Sequence, residues 1–357
     1  MKFKISIIGS GAFGLSIALE LAKNKNFEVT VFEKNNKILE GATFANHNRH
    51  HYGYHYPRSL DTIRQINTSK EIFEFYFKKA CIFNFPNFYA ISKYRTNINS
   101  IQYEKFLIQN NLQYQIVPIN KNIFNIRFID KIFKVKEGVY DYFSLKKIYE
   151  NRIKNSKVLI KLNHKLLDGK INQECFLQFQ TNYGIKKINS DILINATYAN
   201  YNDIISLFDF ETNKSQYNLQ EFAIISFKKD LRIGLTVMDG SFPSILPIGR
   251  TKFHLFAHVN KSQLIKEISN KNNLFNHNYI CTNFEDTFKE SKKYINLLKN
   301  CIYHKSIISS RVVIKNQDDT RESSIIEHRK NFYSVFSAKI ITAEYLALEL
   351  AKKINCL

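Results

Sequence analysis

A Gly-x-Gly-x-x-Gly pattern over residues 9–14 leaves few folds open to this chain. It follows an apolar run over residues 3–8 and opens a helical periodicity over residues 12–23. A second apolar run over residues 28–33 ends at the acidic residue Glu33. This order of strand, glycine turn, helix, strand and terminal carboxylate is typical of a βαβ unit that binds a dinucleotide. The sequence therefore predicts a Rossmann-like unit, and a glycine-rich turn without a ligand is the competing interpretation.

Each residue of this fingerprint has a physical role. Gly9 permits the tight turn, and Gly11 lets the backbone approach a pyrophosphate at the helix N-terminus. Gly14 allows close packing of the helix on the strand, and Glu33 accepts hydrogen bonds from the ribose hydroxyls. These roles serve FAD and NAD equally, so the fingerprint alone does not choose between the two cofactors.

Length and cysteine usage narrow the class of protein. A chain of 357 residues is long enough for two domains. It contains no apolar run of about 18 residues and no signal-peptide pattern, so we expect neither a transmembrane helix nor export. The 5 cysteines stand singly, which argues against a zinc site or a disulfide framework. We therefore expect a protein of the reducing cytoplasm.

The formal net charge of +21 has two interpretations. In the first, the positive field attracts an anionic substrate, a nucleic acid or a membrane surface. In the second, the charge reflects compositional drift, because the lysines are spread along the chain. No basic run is interleaved with aromatic residues, so no nucleic-acid partner is expected. The expected partners are a small-molecule substrate of possible anionic character and an electron acceptor of unknown kind, and peripheral membrane contact is left open.

The rest of the chain alternates between strand-like and helical patterns. Helices are predicted over residues 59–79, 142–154, 262–300 and 340–354. Strands are predicted over residues 158–162, 165–171, 176–181, 191–195, 222–227, 233–238, 253–259 and 331–337. Short segments rich in Phe, Tyr and Ile between residues 80 and 140 predict antiparallel strands.

Three further stretches carry a resemblance to a known family. The first is a small-residue and Asn-rich turn followed by His51, Gly53 and Tyr56. The second is the run over residues 191–198, Asp-Ile-Leu-Ile-Asn-Ala-Thr-Tyr, and the third is Asp-Thr-Arg at 319–321 followed by a strand and a small-residue turn. With the fingerprint, these stretches resemble the D-amino-acid-oxidase-like family of FAD-dependent oxidoreductases, of the glycine oxidase and L-2-hydroxyglutarate dehydrogenase type.

The resemblance implies a fold class and a domain division. The fold is expected to be α/β with an α+β substrate part, in which a Rossmann-like FAD-binding domain is interleaved with an antiparallel-sheet substrate domain. Residues 1–60, 140–200 and 305–357 would form the FAD-binding domain. Residues 61–139 and 201–304 would form the substrate domain.

The resemblance also implies a flavoprotein with FAD as its cofactor. The residues expected to bind it are Gly9, Gly11, Ala12, Phe13, Gly14, Glu33, Lys34, Thr43, Asn46, Asn48, Arg49, His50, Leu166, Ala196, Thr197, Tyr198, Arg311, Ser337, Ala338, Lys339 and Ile340. Tyr198 and Ala338 stand where the family commonly has glycine. A helix beginning near Ile340, with Lys339 beside it, would stabilise negative charge at the N1 and C2 carbonyl edge of a reduced flavin. The alternative for Lys339 is a solvated lysine at a helix start.

The histidine-rich turn has three interpretations. His47, His51 and His55 have a spacing of four residues, but Gly53 and a proline oppose a helix and no carboxylate or cysteine accompanies the histidines, which argues against a metal site. A polar loop held by hydrogen bonds is the second interpretation. In the third, His51 is the general base that takes the hydroxyl proton of an alcohol substrate, whereas an amine substrate needs no strong base.

Two arginines are candidate anion ligands. Arg49 could hold the flavin or a substrate carboxylate through its planar fork. Arg250 follows a glycine- and proline-rich stretch expected above the flavin, and it is either a catalytic-site anchor for an anion or a surface arginine.

The resemblance implies an enzyme that oxidises a small polar amine, amino acid or hydroxy compound, anionic or sugar-linked in some cases, by hydride transfer to flavin N5. An NAD-dependent dehydrogenase is the first alternative. A non-catalytic binding protein with a flavin fold is the second, and the missing glycines at Tyr198 and Ala338 are the features that favour it.

Overall fold

The computed structural model describes residues 2–274, 281–314, 322–337 and 339–356. The helices are α1 (Ala12–Leu21), α2 (Leu60–Phe77), α3 (Ser100–Gln109), α4 (Tyr142–Lys154), α5 (Tyr201–Ile205), α6 (Phe284–Ser291) and α7 (Ala343–Asn355). No helix in these ranges is long and apolar enough to cross a membrane.

The strands in the first half of the chain are β1 (Phe3–Ile8), β2 (Phe27–Phe32), β3 (Arg49–His50), β4 (Cys81–Ile82), β5 (Asn87–Ser92), β6 (Tyr114–Val117), β7 (Ile129–Val135), β8 (Gly138–Tyr140), β9 (Leu159–Lys161), β10 (Lys165–Ile171) and β11 (Cys175–Thr181). The later strands are β12 (Gly184–Ser190), β13 (Ile192–Asn195), β14 (Ser215–Phe227), β15 (Gly234–Met238), β16 (Pro243–Pro247), β17 (His254–His258), β18 (Gln263–Ser269), β19 (Cys301–Ile314), β20 (Ser324–Arg329) and β21 (Phe332–Phe336).

The apolar runs that the sequence marks as buried strands meet in one sheet. Its strand order is β20-β21-β13-β1-β2-β9, and every neighbouring pair is parallel except β20 with β21. Helices α1, α4 and α7 share a hydrophobic core with one face of this sheet. The three-stranded sheet β10-β11-β12 shares a core with the other face. Because both faces are covered, β13 is buried along its whole length and β1 and β2 are buried toward their carboxyl ends.

A second and larger sheet is mainly antiparallel. Its order is β18-β14-β17-β16-β15-β5-β7-β6, with β19 also paired to β14 and with β15 and β5 parallel. The chain enters this sheet twice, between the segments that form the parallel sheet. The expected α/β fold with an interleaved antiparallel part is therefore confirmed. The exact domain boundaries stay a prediction; β19 pairs with β14 from residue 301 to residue 314.

One sequence expectation is wrong. Residues 263–269 form the strand β18 and not part of a helix, because they pair with β14 at the edge of the large sheet. This edge strand mixes Leu264, Ile265 and Ile268 with polar and charged residues, and such a composition suits an exposed amphipathic helix as well. Helix α6 lies farther along the predicted segment.

Candidate functional site

A cavity of about 1490 Å³ lies between the two sheets. It begins at the carboxyl ends of β1, β2 and β13, where ligands of open parallel sheets bind, and it extends to β14, β15 and β17. Pockets for single small molecules usually measure about 300–1,000 Å³. The cavity therefore has room for an extended cofactor together with a small substrate.

The glycine turn opens one end of this cavity. Gly9 has a φ of +102°, and a Cβ at this position would lie 2.7 Å from the carbonyl oxygen of Ala196. A Cβ at Gly14 would overlap the carbonyl oxygen of Gly9. A Cβ at Gly11 would meet only Thr43 Oγ1, at 3.7 Å, so this residue borders open space. The turn thus has the close packing and the free space that a bound pyrophosphate requires.

The start of α1 suits an anionic group. Its N-cap is Gly11, which provides no side-chain hydrogen bond to the helix. Thr43 Oγ1 accepts the Ala12 N–H at 3.2 Å, and Phe13 lines the cavity. The positive end of the helix dipole therefore borders the cavity where a phosphate would lie.

Glu33 is held in place by the glycine turn itself. Its Oε2 accepts the Ser10 N–H at 2.9 Å and the Ser10 hydroxyl at 2.8 Å. Its Oε1 accepts the Asn35 N–H at 2.9 Å. An ionised carboxylate offers about four lone-pair positions, so Glu33 can still accept ribose hydroxyls. The donor set around this turn fits the adenosine and pyrophosphate parts of FAD.

Tyr198 occupies a backbone conformation that glycine adopts without strain. Its φ is +52°, at the turn that follows β13. Ala196, Thr197 and Tyr198 all line the cavity. A tyrosine therefore occupies a position where glycine would be free of backbone strain.

Lys339 lies in the cavity wall and is not solvated. It is 6% exposed, and its Nζ lies 4.2 Å from the centre of the Tyr56 ring. Ser337 and Ile340 line the cavity beside it. A 3₁₀ turn over Ile340–Thr342 precedes α7.

The histidine-rich turn divides between the cavity and the protein interior. His47, His51 and His55 line the cavity. His50 is fully buried on the other side of β3, where its Nε2 lies 2.8 Å from Glu74 Oε1. The alternation of side chains along a strand separates the neighbours His50 and His51 in this way.

His51 is neutral at pH 7 because burial lowers its pKa to about 4. Glu137 raises this pKa, but the charges of Arg49 and Lys339 lower it. The Nε2 atom lies 3.3 Å from the Tyr56 hydroxyl. Burial also lowers the pKa of His47, to about 3.

Arg49 forms a buried ion pair. Its Nη1 donates to Glu137 Oε2 at 2.9 Å and to the Tyr89 hydroxyl, and its Nη2 donates to Thr236 Oγ1 at 3.0 Å. The side chain is 4% exposed and the Glu137 side chain is fully buried. Arg49 lines the cavity, but its Nη1 is already hydrogen-bonded to Glu137.

Asn46 and Asn48 shape the turn before β3. Asn46 Oδ1 accepts the Asn48 N–H at 2.6 Å and the Tyr140 hydroxyl at 2.8 Å. Asn48 is buried with a φ of +53°, a conformation that asparagine tolerates better than most residues. Only Asn46 of this pair lines the cavity.

The structure brings most of the expected site residues together. The ones that line the cavity are Gly9, Gly11, Ala12, Phe13, Glu33, Lys34, Thr43, Asn46, Arg49, His51, Leu166, Ala196, Thr197, Tyr198, Arg311, Ser337, Lys339 and Ile340. Gly14, Asn48 and His50 lie behind its wall. Ala338 and the stretch 319–321 lie outside the described residues.

Arg250 is not brought to the cavity. Its side chain is exposed, and its Nη2 donates to the carbonyl oxygen of Lys79 at 3.3 Å. The preceding stretch behaves differently, since residues 237–244 all line the cavity. The chain turns at Gly249, whose φ is +49°, and this carries Arg250 to the surface.

Sequence reasoning missed Glu137. It stands alone between β7 and β8, and its partner Arg49 lies 88 positions earlier in the chain. A single acidic residue beside a short apolar strand was the only available signal. In the part of the chain that the structure describes, no group of three or more His, Cys, Asp or Glu side chains could hold a metal ion.

Comparisons with known proteins agree with this geometry. Residues 4–102 match the family model described as FAD dependent oxidoreductase (DAO). No curated protein sequence matches the chain. The match confirms the expected family resemblance, the oxidoreductase class and the FAD cofactor, and it disfavours the NAD-dependent alternative.

Solved structures share the fold over almost the whole chain. Glycine oxidase from Geobacillus kaustophilus superposes with a TM-score of 0.76 at 11% identity and covers 99% of this chain and 95% of its own. L-α-glycerophosphate oxidase from Mycoplasma pneumoniae gives 0.74 at 14% identity, with coverage of 99% and 95%. L-proline dehydrogenase from P. horikoshii gives 0.71 at 16% identity, with coverage of 99% and 94%.

Proposed function

We propose that this protein, whose residues 4–102 match the FAD dependent oxidoreductase family model, oxidises a small polar amine, amino acid or hydroxy compound with an anionic group. One observation carries the proposal. A single cavity joins the dinucleotide-binding turn at Gly11 to a wall that contains His51 and Lys339. Bound FAD would supply the hydride acceptor, its N5 atom, and the residues of the chain would bind and orient both partners.

The residues that would hold FAD are distributed along the cavity. Gly9, Gly11 and the start of α1 would take the pyrophosphate, and Glu33 would take the ribose hydroxyls. Thr43, Asn46 and Ala196 form the adjoining wall. Lys339 would place its positive charge near the part of the flavin that becomes negative on reduction.

The anionic character of the substrate rests on the charges of the inner wall. Arg311 and Lys339 line the cavity, and Arg58 lines it while paired with Asp239 at 2.6 Å. A guanidinium fork binds a carboxylate or a phosphate in two-point geometry. The similar folds named above include enzymes of glycine, proline and glycerophosphate, all of which carry such a group.

For a hydroxy substrate, His51 would be the general base. Because its pKa is lowered to about 4, the imidazole is neutral at pH 7 and can accept the hydroxyl proton. The Tyr56 hydroxyl, 3.3 Å from Nε2, marks the direction in which this nitrogen can exchange a proton. An amine substrate would react as the free base and would need His51 only for binding.

The test begins with the purified protein and its visible spectrum. We expect a yellow protein whose flavin is reduced, in the absence of oxygen, by one member of a panel of amino acids, hydroxy acids and sugar-linked compounds. Each active compound is then compared with its uncharged amide or ester, which we expect to reduce the flavin poorly. A colourless protein that binds NAD and takes up no added FAD would refute the proposal.

We place the reaction in the cytoplasm, on the ground that all 5 cysteines are free.

Equal reduction by an acid and its amide would leave the oxidoreductase class intact and remove the anionic substrate from the proposal.

A further inference from the structure

Glu137 is a carboxylate with no access to solvent. Its Oε2 accepts hydrogen bonds from Arg49 Nη1, at 2.9 Å, and from the Tyr89 hydroxyl. Its Oε1 accepts the Tyr52 N–H at 3.0 Å. The same Oε1 lies 3.7 Å from Nδ1 of His51. Three donors therefore fix a buried carboxylate directly behind the imidazole that borders the cavity.

The charge state of Glu137 follows from these neighbours. Burial alone would raise its pKa, but the Arg49 guanidinium, the neighbouring His51 and the Tyr89 hydroxyl outweigh burial and hold the pKa well below its usual range. Glu137 is therefore ionised at neutral pH. A carboxylate buried without such partners would be strongly destabilising, so Glu137 depends on these contacts to remain ionised.

His51 has one nitrogen directed at this carboxylate. Nδ1 makes no hydrogen bond to any described residue, and it lies 3.7 Å from Glu137 Oε1. Nε2 lies on the side of Tyr56, and His51 lines the cavity whereas Glu137 does not. Hydrogen bonds of catalytic groups are often long without substrate and shorten when it binds.

We propose that Glu137 is a positioning residue, which keeps the proton of His51 on Nδ1 so that Nε2 presents its lone pair to the substrate. The inference rests on the proposed function of His51 as a base. Bound FAD would supply the acceptor for the hydride that leaves the substrate carbon. His51 Nε2 would take the hydroxyl proton as the O–H bond breaks, and the substrate would become a carbonyl compound. The Nδ1 proton stays in place, and the imidazolium lies against the negative charge of Glu137.

The charges around His51 show what Glu137 contributes to the protonation of this imidazole. Arg49 and Lys339 both disfavour the imidazolium, and Glu137 favours it. The other titratable groups that face the ring are Tyr56, His55 and His47. Without Glu137, two cations would oppose the proton that the reaction places on His51.

Glu137→Gln tests the proposal by NMR titration of imidazole nitrogens in the FAD-loaded protein. The amide keeps the size of the side chain and removes its charge, and its NH₂ group can donate to Nδ1. In the unaltered protein we expect the proton on Nδ1. In the variant we expect a lower His51 pKa and a shift of the tautomer toward Nε2–H. Wild-type tautomer and pKa in Glu137→Gln would overturn the proposal.

Glu344→Gln is the matched control. Glu344 is also a buried carboxylate paired with an arginine, Arg152 at 2.7 Å, but it does not line the cavity or contact His51. Its loss should cost stability without moving the His51 pKa or tautomer. A shift of His51 as large as that in Glu137→Gln would reduce the role of Glu137 to general support of the fold.

A kinetic measurement completes the test. With a hydroxy substrate, Glu137→Gln should slow flavin reduction by about 10²- to 10⁴-fold, the range for a base left in the wrong tautomer. The FAD content should remain the same because Glu137 lies outside the cavity wall. Glu137→Asp keeps the charge and should recover part of both the rate and the His51 pKa.

These measurements separate two kinds of failure. The NMR result requires no substrate, so a tautomer shift in a protein that oxidises nothing would refute the proposed function and uphold the positioning. If Glu137→Gln does not fold, Nε2–H in the unaltered protein is itself sufficient to overturn the inference.

Discussion

Replacing Gly11 with valine separates cofactor binding from folding. A Cβ at this position has only Thr43 Oγ1 within 4 Å, at 3.7 Å, and the backbone angles of Gly11, φ −69° and ψ 176°, suit any residue. Valine is a poorer N-cap than glycine, so we expect the apoprotein to lose about 1 kcal/mol of unfolding free energy or less. The fold should therefore survive the substitution.

The Gly11→Val substitution should weaken FAD binding strongly. The valine side chain would fill the space beside the start of α1 and exclude the pyrophosphate. A hydrogen bond to a charged group contributes about 1.5–3 kcal/mol. The loss of two such bonds raises the Kd for FAD by about 10²- to 10⁴-fold.

The assay is FAD titration of the apoprotein, followed by calorimetry or by the quenching of flavin fluorescence, with thermal unfolding measured in parallel. Gly14→Ala is the contrasting variant, because its Cβ would overlap the Gly9 carbonyl oxygen and should destabilise the fold itself. A folded Gly11→Val protein with unchanged FAD affinity would show that the turn does not hold the pyrophosphate.

Three other substitutions probe the remaining parts of the site. His51→Ala should keep FAD bound and slow flavin reduction by a hydroxy substrate about 10²- to 10⁴-fold. Because the base must be neutral and its pKa is about 4, the wild-type rate should fall as the pH drops through 4, and stopped-flow measurements should find no such fall in the variant. Arg250→Ala should change neither FAD content nor reduction rate, and a lost rate would place this exposed side chain at the substrate after all. Tyr198→Gly should relieve a left-handed backbone strain of about 1–2 kcal/mol, offset in part by the flexibility of glycine, so a large drop in melting temperature would contradict this account.

Local sequence was sufficient to predict the end of the site that would hold the cofactor. The fingerprint lies within residues 3–33, where strand, turn and helix follow one another. Gly14 packs on Gly9, and Glu33 accepts from Ser10 across only 23 positions. The helix predicted over residues 142–154 coincides with α4 for the same reason, since Asp141 caps its first turn and accepts the Ser144 N–H.

The predictions from sequence are wrong where the tertiary environment, and not the local composition, decides the structure. Residues 263–269 mix polar and apolar side chains that suit a solvated helix equally well, and only pairing with β14 makes them a strand. Arg250 follows a stretch that does border the cavity, but the turn at Gly249 sends its side chain outward. His50 and His51 are adjacent and chemically identical. Because side chains alternate along an extended chain, His50 faces Glu74 and His51 faces the cavity.

Residue spacing alone predicts the βαβ unit and a dinucleotide cofactor, because the positions of a few glycines and one carboxylate are set by contacts within a short stretch of chain. The environment of His51 depends on the tertiary structure. Arg49, Glu137 and Thr236 are far apart in sequence and meet only in the folded chain. Charge and pKa depend on burial and on such distant neighbours, and neither can be read from the order of residues.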